Sequence, residues 1–576
     1  VYSNQHVARV FEEIRDILNI LGEEHFRVRA YQLAALRIQN LSKPLVDVIA
    51  SGEKIPGVGK NLLQKAKEIM KTGTCKERES LRYEVPDNVL KLLRIPGVGP
   101  KTVAKLHFEY GINSLDALEK AVENGRINLS PKMREKILKG LPLARIERTR
   151  FSLGYALNVL TEIRETLTRE CSIHKITFAG SARRHKSTVR DGDILVVAPS
   201  EEVPKIIKTF VSHPSMYEIQ GEGETKASIR TEEGFQVDLR VVPPESWGAA
   251  VNYFTGSKQF NIKLRTMSQQ IGNPIFINEY GYFQGDVSGK RLGGETEEQL
   301  FELLGIQYVP PELREDTGEV ELAREFALPH LIELQDIKGD LHVHSTWSDG
   351  TASLEELTRY GDEFGYEYLA VCDHTKSLGV AGGCNEHEFL ERNKVIDTIN
   401  TSGKYKCKLL KGVEVEVLKG GSLDFTADFL KENFDLVTAA VHTGLDNPQE
   451  ALQKTLRAIE HPAVHCIAHP TGRQFGRRDE GPLEQYWSRI VTAAAKHKKW
   501  VELNCDPGRL DPNEALVRKA TEAGVPVTIG TDAHFVPTQL RHIEIGAGLA
   551  RRAWCTPACV VNALPLRELR KRLLIN

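Results

Sequence analysis

From residue 340 onward, six short apolar runs each end in histidine, aspartate or glutamate: Asp340-Leu341-His342-Val343-His344, Val371-Cys372-Asp373-His374, Val413-Glu414, Val441-His442, Ile467-Ala468-His469 and Thr531-Asp532-Ala533-His534. A further acid, Asp349, follows the first run. Helix-forming stretches such as 354–364 and 482–497 separate the runs, and this alternation of strand and helix predicts a parallel, barrel-like α/β domain. The C-terminal ends of barrel strands open on one common mouth, so residues far apart in sequence converge there. Buried together with no cation, these imidazoles and carboxylates would carry large desolvation penalties, and bound metal is the simplest compensation.

A second cluster of acids lies earlier in the chain. Asp191 and Asp193 flank Gly192 at the head of the apolar run 194–198, and strand residues two apart project to one face. Asp238 occupies another alternating segment, Gln236-Val237-Asp238-Leu239-Arg240. Three carboxylates on adjacent strands can hold two divalent ions, one lowering the pKa of an attacking 3′-hydroxyl and the other neutralising a triphosphate and its leaving oxygen. The preceding turn, Gly180-Ser181-Ala182-Arg183-Arg184, offers backbone N–H groups, a hydroxyl and two guanidinium groups to phosphate oxygens.

Charge divides the chain. The formal net charge is −2, yet residues 1–150 hold 27 Lys and Arg against 18 Asp and Glu, while 11 of the 18 histidines follow residue 335. A basic front suits contact with a phosphate backbone and an acidic rear suits cation binding. Within the basic region Ile55-Pro56-Gly57-Val58-Gly59-Lys60 recurs as Ile95-Pro96-Gly97-Val98-Gly99-Pro100. Both look like helix-hairpin-helix turns, in which glycines (Gly57, Gly59, Gly97, Gly99) let the backbone approach a phosphate and the next helix presents free N–H groups. Such contacts carry no base information, so the DNA binding they imply is sequence-independent. No stretch approaches the roughly 20 apolar residues of a membrane span, and no signal-peptide core is evident at the start. The nine scattered cysteines, with no CxxC, read as reduced thiols in a cytosol.

Tyr253-Phe254-Thr255-Gly256-Ser257, followed by Asn261 and Arg265 at helical spacing, completes a pattern with the three aspartates. With it the chain resembles the family X DNA polymerases, the nucleotidyltransferase group that includes DNA polymerase beta. The resemblance implies that Gly180, Ser181 and Arg184 hold triphosphate, that Asp191, Asp193 and Asp238 bind Mg²⁺ or Mn²⁺, and that Tyr253, Phe254, Gly256 and Ser257 contact the sugar. Asn261 would face the base and Arg265 the template. His185 and Arg190 stand where that family frequently has small residues. Lys65 falls where the family carries the Schiff-base lysine of its deoxyribose-phosphate lyase domain; Lys60 and Lys67 could supply the cationic field that makes an amine nucleophilic, and a 5′-phosphate contact is the alternative role. Arg27, Arg29 and Tyr31 fit a 5′-phosphate pocket in either case.

The C-terminal third resembles the PHP (polymerase and histidinol phosphatase) domain. That implies His342, His344, Asp349, His374, Glu414, His442, His469, Asp532 and His534 as ligands to up to three Mn²⁺, Zn²⁺ or Fe²⁺ ions, with Glu414 bridging, and hydrolysis of phosphoesters at 3′ ends. Arg473, Arg477 and Arg478 are candidates to hold substrate phosphate. The whole implies a multidomain chain: a helical lyase-like domain (1–84) and fingers (85–150), each with a helix-hairpin-helix, an α+β nucleotidyltransferase palm (151–243), a thumb (244–315), a linker (316–335) and an α/β PHP barrel (336–576). The expected protein is a monomeric repair polymerase acting on gapped or primed DNA with dNTPs, away from membranes. The alternatives are an end-processing nuclease whose polymerase half mainly binds DNA, and a non-catalytic DNA-end scaffold.

Overall fold

Val7, Val10, Phe11, Ile14, Ile17 and Leu18 recur at three- and four-residue intervals along helix Asn4–Leu21 and are all buried, the pattern that docks an amphipathic helix on a core. The computed structural model describes residues 4–575 apart from 40, 42–44, 53, 56, 96–97, 146–149 and 232. The chain forms two units, one comprising Val1–Thr149, Ser212–Glu218 and Thr231–Gly234 and the other the remainder. In the first, one hydrophobic cluster runs from Val7 to Ala144. Segments 1–84 and 85–150 therefore share a core. Helices Lys60–Thr72 and Pro100–Ala104 start at Gly59 and Gly99, and in each turn the valine N–H returns to the isoleucine carbonyl four positions before the glycine, Val58 to Ile55 at 3.1 Å and Val98 to Ile95 at 3.0 Å. Gly97 lies outside the described residues.

The second unit begins with a five-stranded sheet. Its strands β1 (Lys175–Phe178), β2 (Asp191–Val197), β3 (Glu218–Glu222), β4 (Lys226–Arg230) and β5 (Gln236–Val241) lie in the order β1-β2-β5-β4-β3. Helix Leu153–Glu170 is capped by Ser152, whose hydroxyl accepts the Tyr155 N–H, and buries Leu153, Ala156, Val159, Leu160, Ile163 and Leu167. A second cluster gathers Phe260, Leu264, Tyr282, Leu300 and Phe301 around three short antiparallel strands. Residues 316–335, expected as a linker, join this core through buried Val320, Ala323 and Leu331, because helix Glu319–Arg324 is anchored by the buried Glu319 carboxylate accepting N–H groups of Glu315, Asp316 and Thr317.

Seven parallel strands follow: β6 (Gly339–Val343), β7 (Tyr368–Val371), β8 (Lys408–Glu416), β9 (Leu436–Ala440), β10 (Cys466–Ile467), β11 (Trp500–Asn504) and β12 (Val527–Gly530), adjacent in chain order. Bonds from the Asp532 N–H to His342 O and from the His344 N–H to Ala533 O, each 2.9 Å, bring the last strand back to the first. β6, β7, β9, β11 and β12 are buried throughout, as expected of parallel strands covered on both faces. Tyr368, Leu436, Cys466 and Trp500, each the first residue of its strand, pack with Leu569 and Leu573 of helix Leu566–Ile575. The N-terminal ends of these strands are thus filled with apolar side chains, and the opposite mouth carries the histidines.

Candidate active sites

In the palm sheet the parallel register sets Asp191 opposite Gln236 and Asp193 opposite Asp238, so three carboxylates face one another across β2 and β5. Burial, then the like charges of Asp191 and Asp238, pushes Asp193 up to about 7, and burial followed by Asp238 raises Asp191 as well. Such mutual repulsion is what divalent cations relieve, and the all-oxygen donor set suits Mg²⁺ or Mn²⁺. Gly180 has φ +61°, and a Cβ there would meet Asp193 Oδ2 at 2.5 Å; only glycine lets the turn close directly over the acid.

The neighbouring side chains are already engaged. Arg183 forms a fork with Glu297 (2.8 and 2.6 Å) and donates to Thr255 Oγ1. Although burial alone would raise Glu297, Arg314 and Arg183 hold it down to about 2. Arg183, expected as a phosphate donor, is therefore engaged in a part-buried ion pair within the protein. Arg184 bonds Glu315 through Nε at 2.8 Å and the Thr255 carbonyl through Nη1. Ser257 Oγ accepts the Phe260 N–H and caps helix Lys258–Gln270. Asn261 Nδ2 donates to Tyr253 O at 2.9 Å, exposed Arg265 lies over the Tyr253 ring, and Arg240 over Phe254. Of the residues expected to contact nucleotide, Gly180 lies directly over Asp193, while Arg184, Ser257 and Asn261 each make a bond within the protein.

At the barrel mouth all nine expected ligands meet. Three overlapping groups have ligand atoms within 4.8 Å of one another: His344, Asp349, His374 and His534; His342, His344 and Glu414; His374, Glu414 and His442. Glu414 belongs to two of them and also contacts His469 at 3.0 Å, and Asp532 lies 3.1 Å from His344. Glu414 Oε2 has His374 Nδ1 at 2.9 Å, and His342 Nε2 and His344 Nδ1 are buried with no hydrogen-bond partner among the described residues. Buried polar atoms are rarely left so. Mixed imidazole and carboxylate donors pointing inward fit first-row divalent ions.

Behind the ligands sit carboxylates that the sequence reading missed. Glu502 accepts His342 Nδ1–H at 2.6 Å and the His469 N–H at 2.7 Å, and Glu416 accepts His442 Nδ1–H at 2.6 Å. Their signal was a glutamate inside an otherwise apolar strand, as in Trp500-Val501-Glu502-Leu503. Such partners fix the tautomer and orientation of a ligating histidine. Glu502→Gln is expected to weaken metal retention by about 10–100-fold, read as metal content after dialysis against a graded chelator; wild-type retention would remove the orienting role. Arg473 and Arg478 spend their Nε groups on the carbonyls of Arg509 and Gly472, and Arg477 is exposed. Arg509, also unforeseen, reaches Asp532 at 3.5 Å.

In the helical unit Lys65 Nζ meets Glu77 and donates to Tyr31 OH at 2.5 Å, while Arg27 bonds the other Glu77 oxygen at 2.7 Å. Burial would raise Glu77, but hydrogen bonds from Lys65, Tyr31 and Arg27 lower it overall. The partner of Lys65 is thus an anion rather than the cationic field expected from Lys60 and Lys67, because helix Lys76–Glu84 places Glu77 against helix Lys60–Thr72. Arg29 is exposed.

Comparison with known proteins gives three family matches: a helix-hairpin-helix domain over residues 2–75, a DNA polymerase beta thumb over 250–315 and a PHP domain over 340–506. The chain is 33% identical over 577 residues to the DNA polymerase/3′-5′ exonuclease PolX of Bacillus subtilis (strain 168), covering 99% of both. It is 26% identical over 346 residues to DNA polymerase lambda of Rattus norvegicus, covering 54% of this chain and 56% of that one. A probable phosphatase of Thermoanaerobacter sp. (strain X514) matches 39% of this chain and 89% of its own at 26% identity. With polymerase and barrel parts matched in one order along its whole length, the chain belongs to the family X DNA polymerases that carry a C-terminal PHP domain.

Proposed function

We propose that this protein is a DNA-directed DNA polymerase that fills short gaps in DNA repair, and that its PHP barrel removes nucleotides and phosphate from 3′ ends. The observation that carries the reading is the end-to-end likeness to a bacterial protein named for both activities. Asp191, Asp193 and Asp238 hold Mg²⁺ or Mn²⁺; Gly180, Ser181 and Arg184 bind the triphosphate; Tyr253, Phe254, Gly256 and Ser257 border the sugar; Asn261 and Arg265 meet base and template. The nine barrel ligands hold Mn²⁺, Zn²⁺ or Fe²⁺, and Arg509 joins them as a candidate phosphate contact. Divalent ions bound in these two places supply Lewis-acid stabilisation of phosphate oxygens and ease deprotonation of the attacking oxygen.

The rest of the chemistry belongs to the side chains. Gly180 brings backbone N–H groups beside Asp193, where a triphosphate can accept them. Tyr253 and Phe254, perpendicular with centroids 5.0 Å apart, form a wall that selects deoxyribose by its size. The glycine turns at 57–59 and 97–99 hold the DNA backbone without reading bases. A helical region made of 1–84 and 85–150 around one core, with domains at 151–243, 244–315 and 336–576, acting as a monomer in the cytoplasm near the nucleoid, completes the proposal.

A primer on a one-nucleotide-gapped duplex tests it: with dNTPs it gains one nucleotide, and without them, in Mn²⁺, it shortens from its 3′ end. Shortening under both conditions would favour a nuclease whose polymerase half only binds DNA. Lys65 is assigned the lyase amine, with Glu77 as the group that takes or returns its proton. Borohydride with a 5′-deoxyribose-phosphate substrate then traps an adduct that Lys65→Ala abolishes. A 5′-phosphate contact gives no trapped adduct at all.

A further inference from the structure

His185 occupies a position where a small residue would suffice for a phosphate-binding turn, and the fold supplies a reason. With φ +51° its ring lies on Gly548 of the barrel helix Ile543–Arg552, where a Cβ would come within 2.0 Å of His185 Cδ2. The last residue of that helix, Arg552, has a buried side chain that reaches into the polymerase half. Its Nη1 donates to the carbonyls of Arg184 and Glu312, each at 3.2 Å, and pairs with Glu315 Oε1 at 2.9 Å, while its Nε pairs with Glu514 at 2.8 Å. The same Glu315 oxygen accepts from Arg184 Nε at 2.8 Å. One carboxylate oxygen therefore lies between two guanidinium groups, one from the barrel and one from the triphosphate turn.

We propose that Arg552 is a positioning residue for nucleotide addition. It holds Glu315 and the Arg184 carbonyl from the barrel side, so that Arg184 engages Glu315 through Nε alone and Thr255 through Nη1. Nη2, the nitrogen these bonds do not use, is then available to the incoming triphosphate. Without Arg552 the carboxylate keeps Arg184 as its one guanidinium, with Lys186 as its remaining cationic neighbour, and the favoured geometry of an arginine–carboxylate pair is a two-pronged fork. That fork consumes a second Arg184 nitrogen and withdraws it from nucleotide. The PHP barrel is thus part of the polymerase site as well as a separate hydrolytic domain. The inference rests on reading Arg184 as a triphosphate ligand.

The test is steady-state gap filling by the full chain across a dNTP titration. Arg552→Ala is expected to raise the KM for dNTP about tenfold, equivalent to ~1.4 kcal/mol, with kcat and Mn²⁺-dependent 3′-end degradation little changed; Arg552→Gln, the gentler variant, moves KM in the same direction. Adding Glu315→Gln to Arg552→Ala removes the trap and brings KM back toward wild type, an outcome that mere loosening of the fold would not give. Gly154→Ala is the control, since its Cβ would strike Pro507 at 2.2 Å and disturb the palm–barrel contact elsewhere: Tm falls and KM stays. An unchanged KM in Arg552→Ala alongside a raised KM in Arg184→Ala would overturn the inference alone. An equal rise in Gly154→Ala would reduce it to general docking, and an unchanged KM in Arg184→Ala would overturn the triphosphate assignment with it.

Discussion

Asp193→Ala is expected to slow nucleotide addition on the order of 10³-fold or more, the scale on which a group stabilising transition-state charge is lost, while 3′-to-5′ degradation continues at its normal rate. Asp193 pairs in register with Asp238, lies under Gly180, and is pushed up to about 7 by burial and two like charges. A group in that setting is stabilised only by cations, so its removal takes the metal site with it. Asp191→Ala and Asp238→Ala should behave alike. The assay is single-nucleotide gap filling beside Mn²⁺-dependent shortening of the same primer. Gap filling near wild type in Asp193→Ala would sink the two-metal assignment, and joint loss of both activities would show that the palm also degrades DNA.

The reciprocal expectation concerns the barrel. His344→Ala or Asp532→Ala should eliminate Mn²⁺-stimulated degradation and 3′-phosphate removal and leave gap filling intact, because the two clusters share no residue. Metal analysis should show tightly held Mn, Zn or Fe in the wild type and less in either variant; wild-type content in both would leave the nine residues without a common metal. Loading also has a protonation signature. Burial pushes His534 down, but the bond to Asp349 and the charge of Asp532 outweigh it and hold the imidazole up at about 9. It is therefore protonated at neutral pH, whereas a metal ligand must be neutral. Mn²⁺ binding at pH 7 should release protons, with the share of His534 fading as pH rises through 9, seen as a buffer-dependent binding enthalpy at pH 7 that shrinks at higher pH. Against burial, Glu502 and Glu414 raise His342 and His374 as well, so a buffer-independent enthalpy at pH 7 would put all three histidines outside the coordination sphere.

What the sequence by itself determined was local and periodic. Strand residues two apart share a face, so Asp191 and Asp193 could be paired by inspection; histidines at the ends of apolar runs announced a parallel barrel because such strands end at one mouth; and the repeated Pro-Gly-Val-Gly turns marked two helix starts. What only the tertiary structure decided was which of these groups acquires a partner from elsewhere in the chain. Glu502 supports His342 across 160 positions, Arg183 is taken by Glu297 across 114, and Arg184 meets the helix of Arg552 across 368. Lys65 finds an acid, Glu77, only because two helices pack side by side. Residues 316–335 read as an acidic linker, yet a buried glutamate and three apolar side chains fold them onto the thumb. Each of these contacts is set by packing between distant segments. A charged side chain's neighbours are fixed by that packing and leave no period in the sequence from which to read them.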